Sequence, residues 1–227
     1  MSDAARNRET VLSRIRARLG TRDRPAAREA EVSARLERHP RGTVPARAFA
    51  TPARLVELFE TMLTSQGAEM MRVGTPEKAV RAIAGELAAN NLPLALRMGI
   101  DPILAALPWE EAPNLERRYG KPGPDDRASL SRAAVAAAET GTLFLLSGAD
   151  NPTGLAFLPE THFVLIAAAD ILGCYEDAFD RIRAFYGKGK LPRSVNMVSG
   201  PSRTADIEQT IVRGAHGPKR LVVLLLA

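Results

Sequence analysis

The stretch Gly200-Pro201-Ser202-Arg203-Thr204-Ala205-Asp206-Ile207-Glu208 carries residue types suited to holding a small anion. Gly200 permits a tight bend, Pro201 fixes φ, and Ser202 or Thr204 can accept from the free N–H groups of a first helical turn. Val195–Val198 before it reads as a short buried strand, and Ile207, Ile211 and Val212 after it recur at helical spacing. The stretch is therefore expected to be a strand-to-helix turn. In an open α/β sheet such a turn lies at the carboxyl end of a strand, where ligands bind. Backbone donors, the positive end of the helix dipole and Arg203 would together favour a carboxylate, sulfate or phosphate. Asp206 and Glu208 stabilise the helix start, and at least one is expected to pair with an arginine. The same residues also suit an ordinary capped turn with a surface arginine.

A second chemical candidate is Glu139, which follows a run of alanines and precedes an apolar strand. A buried carboxylate needs a partner or a function. With Thr140 and Gly141 it is expected beside the anion turn, as the ion-pair partner of Arg203. The other role open to it is catalytic, as an acid/base or nucleophile. Cys174 is the only cysteine and precedes Tyr175-Glu176-Asp177 at a helix start. It reads as a packed thiol, and one thiolate excludes an internal disulfide, a Cys-rich zinc site and an iron–sulfur cluster held by this chain alone. His39, His162 and His216 are too scattered for a metal cluster. Neither a dinucleotide-binding GxGxxG after a first strand nor a phosphate-binding GxxxxGK[ST] occurs.

The elements that must position these residues alternate along residues 51–227. Thr51-Pro52 and Thr75-Pro76 each start a helix, with apolar stripes Leu55–Leu63 and Val80–Leu87. Strands are expected at Ala68–Val73, Leu92–Met98, Leu143–Ser147, His162–Ala168, Ser194–Val198 and Leu221–Leu226. A short helix is expected at Ile100–Leu107, and another helix follows Tyr175. The Ala-rich stretch Arg132–Ala138 reads as a further helix. Residues 108–127, with four prolines and the sole tryptophan, read as an irregular loop. Alternating strands and helices predict a mostly parallel sheet with helices on both faces.

Charge divides the chain differently. Residues 1–50 hold twelve arginines and six acids, so the net charge of +5 belongs to this arm. A helix is expected over residues 4–19 and part of another around Arg28–Arg38, joined by a linker containing proline and glycine. Phe49 is the only aromatic residue there, so the pattern gives little support to a single-stranded nucleic-acid platform and fits an acidic protein partner, or no partner, better. The sequence contains no apolar run long enough to span a bilayer and begins with no secretory signal, which predicts the cytoplasm.

Three segments taken together resemble the LUD-domain family, in its lactate-utilisation branch. They are Ala138–Leu143 (AETGTL), Phe157–His162 (FLPETH), and Gly200–Glu208 (GPSRTADIE) with Gly214–Pro218 (GAHGP). The resemblance covers residues 51–227. It implies a Rossmann-like three-layer α/β sandwich of the ribose-5-phosphate isomerase and CoA-transferase type. It also implies a part in bacterial L-lactate oxidation to pyruvate as one of three proteins, with iron–sulfur clusters in a partner protein and no cofactor in this chain. Three functional classes are open: a non-redox accessory or anion-binding subunit, an acyl or CoA transferase using Glu139, or a structural or regulatory protein whose pocket is vestigial. The ETG run is loosely similar to the Glu-Asn-Gly of some CoA transferases, with threonine in place of asparagine.

Overall fold

The computed structural model describes residues 3–20, 25–187, 189–205 and 211–227. Two compact units divide the chain, Met1–Thr43 and Val44–Ala227. The first holds helices α1 (Asp3–Arg18) and α2 (Pro25–Arg38). Val11, Ile15, Leu19, Val32 and Leu36 all stay exposed, so neither stripe is covered within the arm.

The second unit runs, in chain order, α3 (Pro52–Ser65), β1 (Glu69–Arg72), α4 (Pro76–Ala89), β2 (Ala95–Met98), α5 (Pro102–Ala105), β3 (Glu116–Tyr119), β4 (Ala128–Arg132), β5 (Val135–Ala137) and β6 (Thr142–Leu146). It continues with β7 (Thr161–Ala167), β8 (Ile171–Leu172), α6 (Tyr175–Tyr186), β9 (Val195–Val198), β10 (Arg203–Ala205), β11 (Ile211–Arg213) and β12 (Arg220–Leu226). The unit also takes in the segment before α3, where Ala48 is buried and its carbonyl oxygen lies where a Cβ on Gly173 would stand.

Six strands form one sheet in the order β1-β12-β7-β4-β2-β3, and every neighbouring pair is parallel. Its central strands are apolar on both faces, as a doubly covered sheet requires. Val222 and Leu224 of β12 and Phe163 and Leu165 of β7 pack with Val80, Ile83 and Leu87 of α4, Leu104 of α5 and Trp109. Leu221, Val223 and Leu225, with Val164 and Ile166, face the other way and pack with Phe59 and Leu63 of α3. This is the α/β architecture expected from the alternation of elements.

A second sheet, in the order β8-β5-β6-β9, shares that other face with α3. α6 covers the outer side of the second sheet through Ala178 and Ile182, packed on Val135, Ala137 and Phe144. The small sheet corrects the sequence reading of Arg132–Ala138. This stretch is not a helix: Arg132 ends β4, and Val135–Ala137 pairs antiparallel with β6 and parallel with β8. Alanine favours helices by propensity alone, but propensity is a weak prior. Here Ala133, Ala136 and Ala138 are wholly buried in the core between the two sheets, where small side chains allow close approach. The expected loop at 108–127 likewise contributes the edge strand β3.

The anticipated helix after Gly200 is also replaced. Arg203–Ala205 pairs antiparallel with Ile211–Arg213, so the chain turns into a β-hairpin. Ile211 and Val212 satisfy helical spacing relative to Ile207, but Thr204, Ile211 and Val212 are β-branched and suited to a ladder. Asp206, Ile207 and Glu208 lie outside the described residues.

Candidate functional site

The two turns singled out in the sequence do meet, and the end of α3 is what brings them together. Gly141, at φ +65°, sits so close to this helix that a Cβ there would overlap the Leu63 backbone. Gly200 approaches Gln66, and the Arg203 guanidinium lies against Gly67. Between the turns, Thr142 Oγ1 lies 2.7 Å from Thr140 Oγ1, 2.8 Å from the Tyr175 hydroxyl and 2.7 Å from Ser199 Oγ. Four hydroxyls bring four protons, and these three contacts use three of them. One O–H of the cluster therefore remains to donate elsewhere.

Glu139 does not pair with Arg203. Its side chain is buried, 5% exposed, and its Oε1 accepts the Tyr175 N–H at 3.0 Å. The carboxylate thus caps the first turn of α6 from a distant part of the chain, where the helix dipole favours negative charge. A nucleophile needs access to its substrate, and this carboxylate is enclosed and engaged as a cap. Cys174 holds the N-cap position of the same helix, and its Sγ donates to Asp177 Oδ2 at 3.2 Å. It is a packed thiol, 1% exposed.

The Gly200–Ser202 turn is locked to the Gly214–Pro218 loop. Ser202 donates its N–H to the Pro218 carbonyl at 2.9 Å, and its carbonyl accepts from Gly214 N at 3.1 Å. Ser202 Oγ accepts the His216 N–H at 3.3 Å, rather than capping a helix. Pro201 is buried, Arg203 is exposed, and the Thr204 backbone is in the hairpin. These contacts, with Lys219 N and Arg220 N donating to the Glu160 carbonyl, set the motif segments at the amino edge of the six-stranded sheet. The turn was expected at a carboxyl edge. It lies at the opposite one because β9 belongs to the second sheet. Among the described residues the turn leads into strand β10 rather than a helix, and its contacts latch it to the Gly214–Pro218 loop.

Glu160 of the FLPETH segment accepts from Lys219 Nζ and Arg127 Nη2, each at 2.9 Å. The Lys219 hydrogen bond, set against partial desolvation, and Arg127 hold its carboxyl below the usual range. His162, the second residue of β7, is fully buried with Nε2 3.0 Å from Ser131 Oγ.

The carboxyl edge holds a different constellation. Among the connections from β2 and β4 to the next strand of the main sheet, one runs to β3 on one side and the other to β7 on the opposite side. Adjacent strands whose connections diverge leave a crevice outside their carboxyl ends, the usual ligand position in open α/β sheets. A cavity of about 210 Å³ lies there. Its lining includes Asp101 after β2, Arg132 at the end of β4, Asp170 after β7, and Arg181 on α6. Asp101 Oδ1 caps α5 through Ile103 N and Leu104 N, at 2.8 and 3.2 Å, while Oδ2 accepts Arg132 Nε at 2.9 Å. Arg132 is thereby held rigidly from a carboxylate that is 5% exposed. Sequence reasoning passed over these residues. Asp101 fell inside the short helix expected at Ile100–Leu107, and Arg132 was assigned to a helix rather than to the last position of a strand.

The comparisons follow this geometry. Residues 126–226 match the LUD domain family, a span that takes in all the motif segments, the second sheet, and β4, β7 and β12 of the six-stranded sheet. Over that span the chain is similar to LUD domains. The chain is 36% identical over 99 residues to an uncharacterized protein of Neisseria meningitidis serogroup B, covering 44% of this chain and 42% of that one. It is 30% identical over 112 residues to lactate utilization protein C of Shouchella clausii, covering 45% and 49%. The lactate utilization protein C of Bacillus subtilis is 28% identical over 120 residues, covering 52% and 50%. The chain thus spans half or less of the length of each of these relatives. In three dimensions the fold is similar to the crystal structure of a DUF162 family protein from Deinococcus radiodurans, with a TM-score of 0.59, 22% identity, and coverage of 78% of this chain and 99% of that one. No described helix is long and apolar enough to cross a membrane.

Proposed function

We propose that this protein is a LUD-domain, non-redox component of a bacterial system that oxidises L-lactate to pyruvate, and that it binds a small carboxylate or phosphate anion. The likeness to proteins named lactate utilization protein C carries this reading. It gains support from the interlocking of the family's own segments. FLPETH, GPSR and GAHGP meet at one edge through backbone hydrogen bonds, so the matched sequence forms one structural unit. Electron transfer falls to a partner. A single thiol that is packed against Asp177 supplies neither the ligand number nor the access for a cluster. The partners in this reading are the other lactate utilisation proteins, an iron–sulfur protein among them, and the compartment is the cytoplasm. The transferase reading loses support, because Glu139 is enclosed and caps α6.

The test is genetic. Deleting the gene is expected to abolish growth on L-lactate as sole carbon source while leaving growth on pyruvate intact, with recovery on complementation by the full chain. Normal growth on L-lactate, in a strain lacking any other lactate-oxidising enzyme, overturns the proposal.

A further inference from the structure

The geometry points to the switch-point crevice, lined by Arg132 and Arg181, as a site for a small 2-hydroxycarboxylate, with L-lactate the probe that the functional reading selects. The location rests on topology and side chains, while the choice of L-lactate rests on the function proposed above.

Three observations converge on the crevice. It lies outside the carboxyl ends of β2 and β4, whose connections to the next main-sheet strand run to opposite sides. Its volume, about 210 Å³, falls below the roughly 300–1,000 Å³ of pockets for drug-sized ligands and suits a compact metabolite. Its charged groups are arranged for a ligand that is both an anion and a hydrogen-bond donor.

Arg132 supplies the first part of that argument. Nε is committed to Asp101, and both Asp101 oxygens are satisfied in turn by Arg132 and the α5 amides. Arg132 lines the cavity, and its two terminal amino groups have no partner among the described residues. A guanidinium fixed through Nε presents a fork that matches the two oxygens of a carboxylate. Arg181 adds a second cation, tied only loosely to Asp170 at 3.7 Å.

The acids define the rest of the ligand. Asp170 and Asp150 also line the crevice, and carboxylates accept hydrogen bonds without donating. A simple carboxylate would meet them with no donor. A hydroxyl on the carbon next to the carboxylate would donate to one of them while the carboxylate engages the guanidinium fork. Val135, Leu146 and Ile182 give the crevice an apolar wall for a short alkyl group.

The experiment is calorimetric titration of the full chain with L-lactate, propionate, L-alanine and inorganic phosphate. Variants Arg181→Gln and Arg132→Lys are titrated in parallel, and each is checked by its melting curve. Arg181 is half exposed, so its loss leaves the fold intact, and Arg132→Lys keeps a cation beside Asp101. L-Lactate is expected to bind best, and propionate, lacking the hydroxyl, roughly tenfold more weakly or worse. Each variant is expected to weaken L-lactate by about tenfold or more, the lysine because it cannot form the fork. Unchanged L-lactate affinity in both folded variants overturns the site and leaves the functional reading standing. Tighter binding of L-alanine or phosphate, or no L-lactate binding to the wild type, overturns the ligand class. Failure of the functional reading shows separately, as normal growth of the deletion strain on L-lactate.

Discussion

The Glu139 carboxylate accepts the backbone N–H of Tyr175 at 3.0 Å, so the tip of the β5–β6 hairpin closes the first turn of α6. The cap is non-local in sequence and joins two layers of the fold. It also decides between two chemistries for one residue, because a carboxylate that satisfies a helix end and is shut from solvent is part of the scaffold.

Two substitutions separate the hydrogen bond from the charge. Glu139→Ala removes the acceptor and is expected to cost about 1–2 kcal/mol, the usual range for a lost cap. Glu139→Gln keeps an acceptor of the same shape and gives up only the charge–dipole part, about 0.3–1 kcal/mol. Urea denaturation of both variants measures this. Equal losses for the two would show that the Tyr175 hydrogen bond is not what Glu139 contributes.

Gly141 stands two residues along the same tip, and its demand is steric. The backbone is left-handed at φ +65°, and a Cβ would overlap the Leu63 backbone of α3. Gly141→Ala combines a conformational penalty with overpacking against a main chain that has no rotamer to give. The expected loss is about 2–4 kcal/mol. Gly85 provides the control. It lies within α4, and a Cβ there meets nothing within 4 Å, so Gly85→Ala is expected to be neutral or to stabilise by up to about 1 kcal/mol. A Gly141→Ala variant melting with the wild type would remove the close approach to α3 from the account.

Strands β1, β2, β6, β7, β9 and β12 were legible as short runs closed by turn residues, and the parallel pairing of β1, β2, β7 and β12 followed from the alternation with helices, whereas β6 and β9 pair antiparallel in the second sheet. The small sheet was not. Val135–Ala137 is three residues long and built largely of alanine, and only its burial between sheet and helix makes it a strand. Mistaking Arg132–Ala138 for a helix also concealed the crevice, since Arg132 meets Asp101 only if it ends β4. The motif turns were legible as a pair: Gly141 and Gly200 both pack on the end of α3. Their presumed chemistry was not, because it depended on a helix where the backbone forms the β10–β11 hairpin. Helical spacing of two or three β-branched residues is compatible with either structure, and the long-range partner decides.

Burial gives His162 a pH dependence whose sign can be worked out. The ring is wholly enclosed at the start of β7, with Nε2 beside Ser131 Oγ and Nδ1 without a partner among the described residues. Desolvation disfavours the imidazolium and pushes the pKa down from 6.5 to about 3. The unfolded chain takes up this proton near pH 6.5, whereas the native state resists it until about pH 3. Between those values the unfolded state binds more protons, so stability rises with pH. The contribution is fully present above pH 6.5 and is lost as pH falls toward 3, at up to about 1.4 kcal/mol per pH unit. His162→Gln retains a polar side chain that can reach Ser131 but does not titrate. It is expected to be less stable than the wild type at pH 7 and to lose less stability between pH 6.5 and 5, a window above the titration of most carboxylates. Urea midpoints at half-unit intervals across that window measure the two slopes. Parallel slopes would mean that the native imidazole takes up its proton as readily as the unfolded one, and the enclosure of His162 would then not govern its titration.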